Sequence, residues 1–242
     1  MNKKIVYFQL SLLAILLMAC STPKIMVDDH LRTDTTLYHV KGRQGWWINQ
    51  HLSFGEFQSG KINRGWIKGY DFPFIIRFAG AKEKLNYTLQ GQNDLAAEVF
   101  CLGKLREQDL QLFHRYFDVN LKTKDAFTGS VVINESKAFD FFVANLNQNN
   151  WFREAKGWIK GEQLNISIEP IKTLEGGKKT LDSQVLGFSF VRDGITLGAV
   201  EVLNQGRIWL HNDLSAEEKL LLASVASALL LRSDLATHNE LS

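Results

Sequence analysis

Cysteine is scarce in this sequence: Cys20 and Cys101 are the only two in 242 residues. With no Cys-x-x-Cys and no Cys/His spacing, a zinc site and a disulfide framework are both excluded as readings of local sequence. A surplus of one charge is also missing. Lys3 and Lys4 lie in a segment expected to be removed, and without them 26 Lys and Arg face 26 Asp and Glu. A neutral chain has no electrostatic grip on a phosphate backbone, so nucleic acid is excluded as a partner. GxSxG, P-loop, GxGxxG and HExxH signatures are absent. The six histidines (30, 39, 51, 114, 211 and 238) never stand three or four residues apart, so no helix presents a metal-binding pair. No cofactor is expected beyond a covalent lipid. No apolar run reaches the twenty or so residues that a membrane-spanning helix needs.

What is present begins at the amino terminus. The basic head Asn2-Lys3-Lys4 precedes fifteen mostly apolar residues, Ile5 to Ala19, interrupted by Gln9 and Ser11. The stretch ends Leu17-Met18-Ala19-Cys20, followed by Ser21-Thr22-Pro23. It is too short to span and has the length of a secretory signal. Over residues 1–23 it resembles the bacterial lipoprotein signal, in which an aliphatic residue and small residues precede a cysteine; Met18 is larger than the usual occupant of its position. The resemblance implies export, diacylglycerol on the Cys20 sulfur, cleavage after Ala19 and acylation of the new amine. One acyl chain gives marginal membrane binding and two or more anchor stably. Ser21 after the cysteine, in place of Asp, implies the outer membrane of a two-membrane cell, with the protein facing the periplasm. The expected organisation is a signal peptide over 1–19, a lipidated tether over 20–36 and a single globular domain over 37–242. Residues 21–36 are polar and without sustained periodicity, and could reach roughly 50 Å if extended.

Past the tether, the dominant pattern has period two. Leu85, Tyr87 and Leu89 alternate with Lys84, Asn86 and Thr88; Leu164, Ile166 and Ile168 alternate with Gln163, Asn165, Ser167 and Glu169; Phe117, Val119 and Leu121 do the same. Each describes a strand with one buried and one wet face. Phe127–Ile133 and Phe139–Leu146 are further strand candidates. Leu186–Val191, Ile195–Leu203 and Arg207–Leu210 read as a meander, with turns at Asp193-Gly194 and Asn204-Gln205-Gly206. The fold class is mainly β: an antiparallel sandwich or partly closed barrel, with a C-terminal helix packed on it. That helix is expected near 215–232. Ser215 and Glu218 have capping-box spacing, and Leu220 to Leu231 is apolar apart from Ser224 and Ser227. Such a helix packs on its own sheet or docks onto another subunit. A second helix is expected over 104–115. The pentapeptide Gly-Trp-Ile-Lys-Gly occurs at 65–69 and again at 157–161, and reads as two similar hairpins in one sheet system.

Candidate contact residues are aromatic or lie beside the capped helix. Adjacent Trp46 and Trp47 must face opposite ways if they lie in a strand. With Trp66 and Trp158 they could stack on sugar rings or anchor a partner. His211, next to Asn212-Asp213, could form an acid–base pair at a loop rim, although polar residues are also ordinary turn formers there. Cys101 lies in the apolar run Val99-Phe100-Cys101-Leu102 and reads as a buried, inert thiol. Three functions follow. The first is a non-enzymatic envelope lipoprotein, membrane-bound through Cys20, that contacts an envelope protein, glycan or lipid. The second is a carrier of an acyl or other apolar ligand in a half-open barrel, similar only in architecture to outer-membrane lipoprotein-sorting factors, none of whose sequence is present; it would need a deep cavity lined by Phe and Leu. The third is an envelope glycan or peptide hydrolase, which would gather His211 and carboxylates around one pocket.

Overall fold

The computed structural model describes residues 24–27, 29–44, 49–65, 83–103, 126–144, 157–178 and 185–238. A short helix, α1 (Asp29–Thr33), opens this region. Thirteen strands follow: β1 (Thr35–His39), β2 (Ser53–Phe54), β3 (Phe57–Ser59), β4 (Asn63–Arg64), β5 (Glu83–Gln90), β6 (Ala96–Gly103), β7 (Ala126–Ile133), β8 (Lys137–Ala144), β9 (Gly157–Lys160), β10 (Asn165–Ile171), β11 (Gly187–Arg192), β12 (Ile195–Glu201) and β13 (Arg207–His211). A long helix, α2 (Ala216–His238), follows them.

All the strands belong to one antiparallel sheet, in the order β1-β13-β12-β11-β10-β9-β8-β7-β6-β5-β3-β2, with β4 also paired to β5. The two ends of this path meet. Just past β1, Lys41 exchanges both backbone hydrogen bonds with Ser53 of β2, at 2.9 and 3.1 Å. Tyr38 seals the seam from inside, its ring edge-on to Phe54 and Phe57 at 6.4 and 5.8 Å. Burial and the Glu56 carboxylate beside it push the Tyr38 hydroxyl up to about 12. Extending the registers around the circuit, a track that leaves β1 at Lys41 returns about twelve residues further along it. A twelve-strand sheet with such a stagger is a tilted, nearly closed barrel. Of the two architectures the alternation allows, the structure is the barrel.

The period-two rows explain which side is which. Leu85, Tyr87, Leu89, Ile166 and Ile168 are buried inside, while Thr88, Gln90, Asn165, Ser167 and Glu169 are exposed on the outer wall. This is the reverse of a barrel that spans a bilayer, whose outer band is apolar. Short turns (55–56, 91–95, 134–136, 161–164, 193–194 and 212–215) close one rim. Asp193 and Gly194 form one of the two two-residue turns, both left-handed (φ 51° and 79°), the geometry that suits strand twist in such a hairpin. The other rim receives the remaining connections, among them 40–52, 65–82, 104–125, 145–156 and 172–186.

A barrel of twelve strands is wider than the eight-stranded kind that its own side chains can fill. Helix α2 takes up the difference. Its start is fixed by the expected capping box: the Glu218 N–H donates to Ser215 Oγ (3.2 Å), and the Ser215 N–H donates to Glu218 Oε2 (3.1 Å). Lys137 and Arg192, from two sides of the turn rim, hold Glu217 and Glu218 at 2.6 and 2.7 Å. From there Leu220 to Leu231 runs up the interior, buried on every face, in one core with Phe57, Phe127, Phe141, Phe190 and Ile208. The Tyr87 hydroxyl contacts the Ser224 carbonyl and Ser227 Oγ, at 3.0 and 2.6 Å. At the opposite rim, the buried Arg43 donates to the carbonyls of Leu230, Val202 and Asn204. Gly206 is required there: a β-carbon on it would stand 2.4 Å from Leu230 Cδ2, and its φ is +91°. The helix continues six residues past the expected Arg232.

Glu218 gives a pH prediction. Burial pulls its pKa upward, but hydrogen bonds from Arg192 and from the Ser215 N–H and hydroxyl outweigh this, so the carboxyl is held below its ordinary value. The depressed folded value means that its contribution is complete above the unfolded pKa of about 4.3 and is lost as pH falls through the folded one. Urea midpoints measured from pH 7 down to pH 3 should therefore fall less steeply in Glu218→Gln than in the parent chain; parallel curves would contradict this.

One expectation is corrected. Much of the stretch read as tether is packed. Ile25, Val27 and Leu31 are 1%, 6% and 2% exposed and cover Leu186, Ala199 and Trp209 on the outer wall, and Thr35 already lies in β1. Ile25 and Val27 fall in the apolar triplet Ile25-Met26-Val27 and Leu31 stands alone four residues on, a pattern too short to show a sustained period. The strap is pinned by a buried ion pair. Arg207 Nε and Nη2 donate to Glu201 Oε1 and Oε2 at 2.8 and 2.7 Å, and the Ile25 N–H donates to Glu201 Oε2 at 3.0 Å.

Candidate functional site

The two members of the repeated pentapeptide differ at their first residue. Gly157 opens β9 in extended conformation, while Gly65 follows β4 as a bend with φ +109°. Residues 66–69 lie outside the described residues, as do Cys20, Trp46, Trp47, Trp66, the strand candidate around Phe117, Val119 and Leu121 and the helix expected over 104–115. The barrel nevertheless relates the tryptophans through connectivity. Trp46 and Trp47 fall between β1 and β2, Trp66 follows β4, and Trp158 is the second residue of β9; the described strand ends next to them lie at the same rim. Nothing in their sequence spacing points to that.

Trp158 projects to the outer wall and is half-buried. Its ring stacks on Phe142 (centroids 5.8 Å apart, planes at 27°), and Lys160 Nζ stands 5.0 Å over it. A stacked ring capped by a cation is a packed surface element with one accessible edge. His211 ends β13 and is half-buried. Its Nδ1 accepts the Asp213 N–H at 3.3 Å, and the Asp213 carboxylate is 3.8 Å away with its side chain 92% exposed. With Nδ1 occupied by a backbone donor and the carboxylate in solvent, the two residues form a turn rather than an oriented base.

One buried carboxyl and one half-buried carboxyl were not singled out from the sequence. Glu201 is consumed by Arg207 and the strap. Asp140, on β8, accepts a short hydrogen bond from the Ser130 hydroxyl opposite it. Burial raises the Asp140 pKa, partly offset by that hydroxyl. Its only sequence signal is a charge inside the run Phe139-Asp140-Phe141-Phe142. Among the described residues no group of three or more His, Cys, Asp and Glu could hold a metal ion. In the same residues no helix is long and apolar enough to cross a membrane.

No family model, curated protein or solved structure matches this chain. Its chemistry therefore has to be read from its own residues. Cys101 faces the barrel interior at 1% exposure, and burial pushes its thiol far above the ordinary range. A nucleophile needs thiolate and access, and Cys101 has neither. A thiol reagent at pH 8 should leave it unmodified in the native chain and modify it fully in urea. Rapid modification of the native chain would show that the interior opens.

Proposed function

We propose that this chain is a lipid-anchored, non-enzymatic binding module of the cell envelope, fixed to the outer membrane through Cys20 and facing the periplasm. Its partner would be an envelope protein, glycan or lipid. The observation that carries this reading is Leu17-Met18-Ala19-Cys20 at the end of an apolar run too short to span a bilayer. The geometry of the domain favours binding over catalysis. His211 and the solvent-exposed Asp213 form a turn, and the half-buried Asp140 has a serine as its hydrogen-bond partner. The carrier reading has less support than the binding reading. A carried acyl chain would need the inside of the barrel, and Leu220 to Leu231 of α2 stand there at 0–2% exposure.

The test is Cys20→Ser in cells fed a radiolabelled fatty acid. The parent chain should carry label and show Cys20 as its mature amino terminus by mass spectrometry. The variant should carry none and accumulate as the longer precursor. Label that survives the substitution, or a mature terminus elsewhere, would overturn the reading.

A further inference from the structure

We propose that the barrel stands with one particular rim against an anionic phospholipid surface, with lipid headgroups as the partner of Lys24, Lys172 and Lys178, and with its turn rim pointing away. This rests on the lipid-anchor reading above and adds an orientation to it.

The first support is where the chain enters the fold. Ile25 bridges Leu174, the Met26 N–H donates to the Thr173 carbonyl at 2.8 Å, and the Glu175 N–H donates to the Lys24 carbonyl at 2.9 Å. The strap is thus fixed beside the connection from β10 to β11, on the rim opposite the short turns. Between Cys20 and Lys24 lie four peptide steps, a reach of about 14 Å when fully extended. The barrel wall is built of eight-residue strands about 26 Å long, shortened along the axis by their tilt. An anchor so short and attached at one rim cannot let the other rim reach the headgroups without laying the barrel on its side.

The second support is charge. Each of the six short turns carries one acidic residue, Glu56, Asp94, Glu135, Glu162, Asp193 and Asp213, while Lys137 and Arg192 beside them are engaged by Glu217 and Glu218. At the anchored rim Lys24 and Lys178 are exposed and Lys172 is half-buried, while the nearby carboxylate of Glu175 is engaged by Arg32 at 3.1 Å. The field of an anionic leaflet decays over about 8 Å at physiological salt. Only the rim nearest the surface feels it, so the basic rim is attracted and the acidic rim would be repelled. Met26, 50% exposed beside Lys24, adds an apolar contact at the same edge.

The experiment uses the full lipidated chain in vesicles of phosphatidylethanolamine and phosphatidylglycerol that contain a headgroup-attached collisional quencher. A fluorophore is placed at Gln205→Cys, on the anchored rim, or at Gln163→Cys, on the turn rim; both side chains are exposed and neutral. Buried Cys101 should not take the label, and its protection also reports that each variant is folded. Quenching should be several-fold stronger at position 205 than at 163. Charge reversal at Lys24, Lys172 and Lys178 to Glu should reduce that ratio while the vesicles still carry the protein. Equal quenching at both positions, or a ratio unmoved by charge reversal, overturns the orientation and leaves the anchor standing. Failure of the full chain to float with vesicles sinks the anchor reading, and this one with it.

Discussion

A chain that stops at Leu214 should not fold. The twelve-strand barrel encloses more space than its own inward side chains fill, and α2 occupies the remainder. Leu220, Leu221, Leu222, Leu229, Leu230 and Leu231 are each 0–2% exposed. At about 2 kcal/mol for each fully buried leucine, their loss of about 12 kcal/mol is comparable to the 5–15 kcal/mol net stability typical of a domain. The polar contacts compound the loss, because the Tyr87 hydroxyl and the Arg43 guanidinium both bond to helix carbonyls. The truncated chain should show no cooperative urea transition and a hydrodynamic radius well above that of the full chain. A compact product with a sharp transition would mean that the helix docks on another subunit and that the barrel is stable without it.

Glu201→Gln should lower stability by about 3–5 kcal/mol, the usual consequence of removing one partner of a buried ion pair. The substitution leaves the Arg207 guanidinium, its side chain 10% exposed, without its carboxylate, and weakens the acceptor of the Ile25 N–H. The exposed pair Lys137–Glu217 is the internal control: its side chains are 59% and 34% exposed, and Lys137→Gln should cost less than about 1 kcal/mol. Urea midpoints of the two variants, compared at equal slope, make the measurement. Because Glu201 also holds the strap, limited proteolysis should cut first within residues 24–34 of Glu201→Gln. If both variants unfold at the parent's midpoint, the ion pair does not fix the strap.

The parts of this fold that sequence reveals are those where neighbouring residues carry the information. Strands β5 and β10 have one wet face, so their alternation is visible, and the Ser215–Glu218 spacing marks the start of α2. In β6 and β12 several outward residues are also buried, among them Phe100, Leu102 and Ala199, so the period-two signal fades there. The choice between sandwich and barrel rested on Lys41 meeting Ser53, a pairing that alternation cannot encode because it says which face is buried and not which strand lies alongside. The strap was hidden for a related reason: three apolar residues in a polar stretch become meaningful only against the wall they cover. The candidate site was less legible still. His211 and Asp213 were suggested by residue type, and geometry places them in a turn. Conversely, the strand ends next to Trp46, Trp47 and Trp66, and the start of β9 with Trp158, lie at one rim through topology alone.

The central helix also sets an order of events. The piece that fills the middle, α2, is made after all the strands described, and β1, which helps close the seam, is made before the others. Contacts between such distant parts of a chain are slow to form. A growing chain therefore has a wall without filling until α2 has been made, with its greasy inner surface unprotected meanwhile. Until α2 is made, such a wall relies on being shielded.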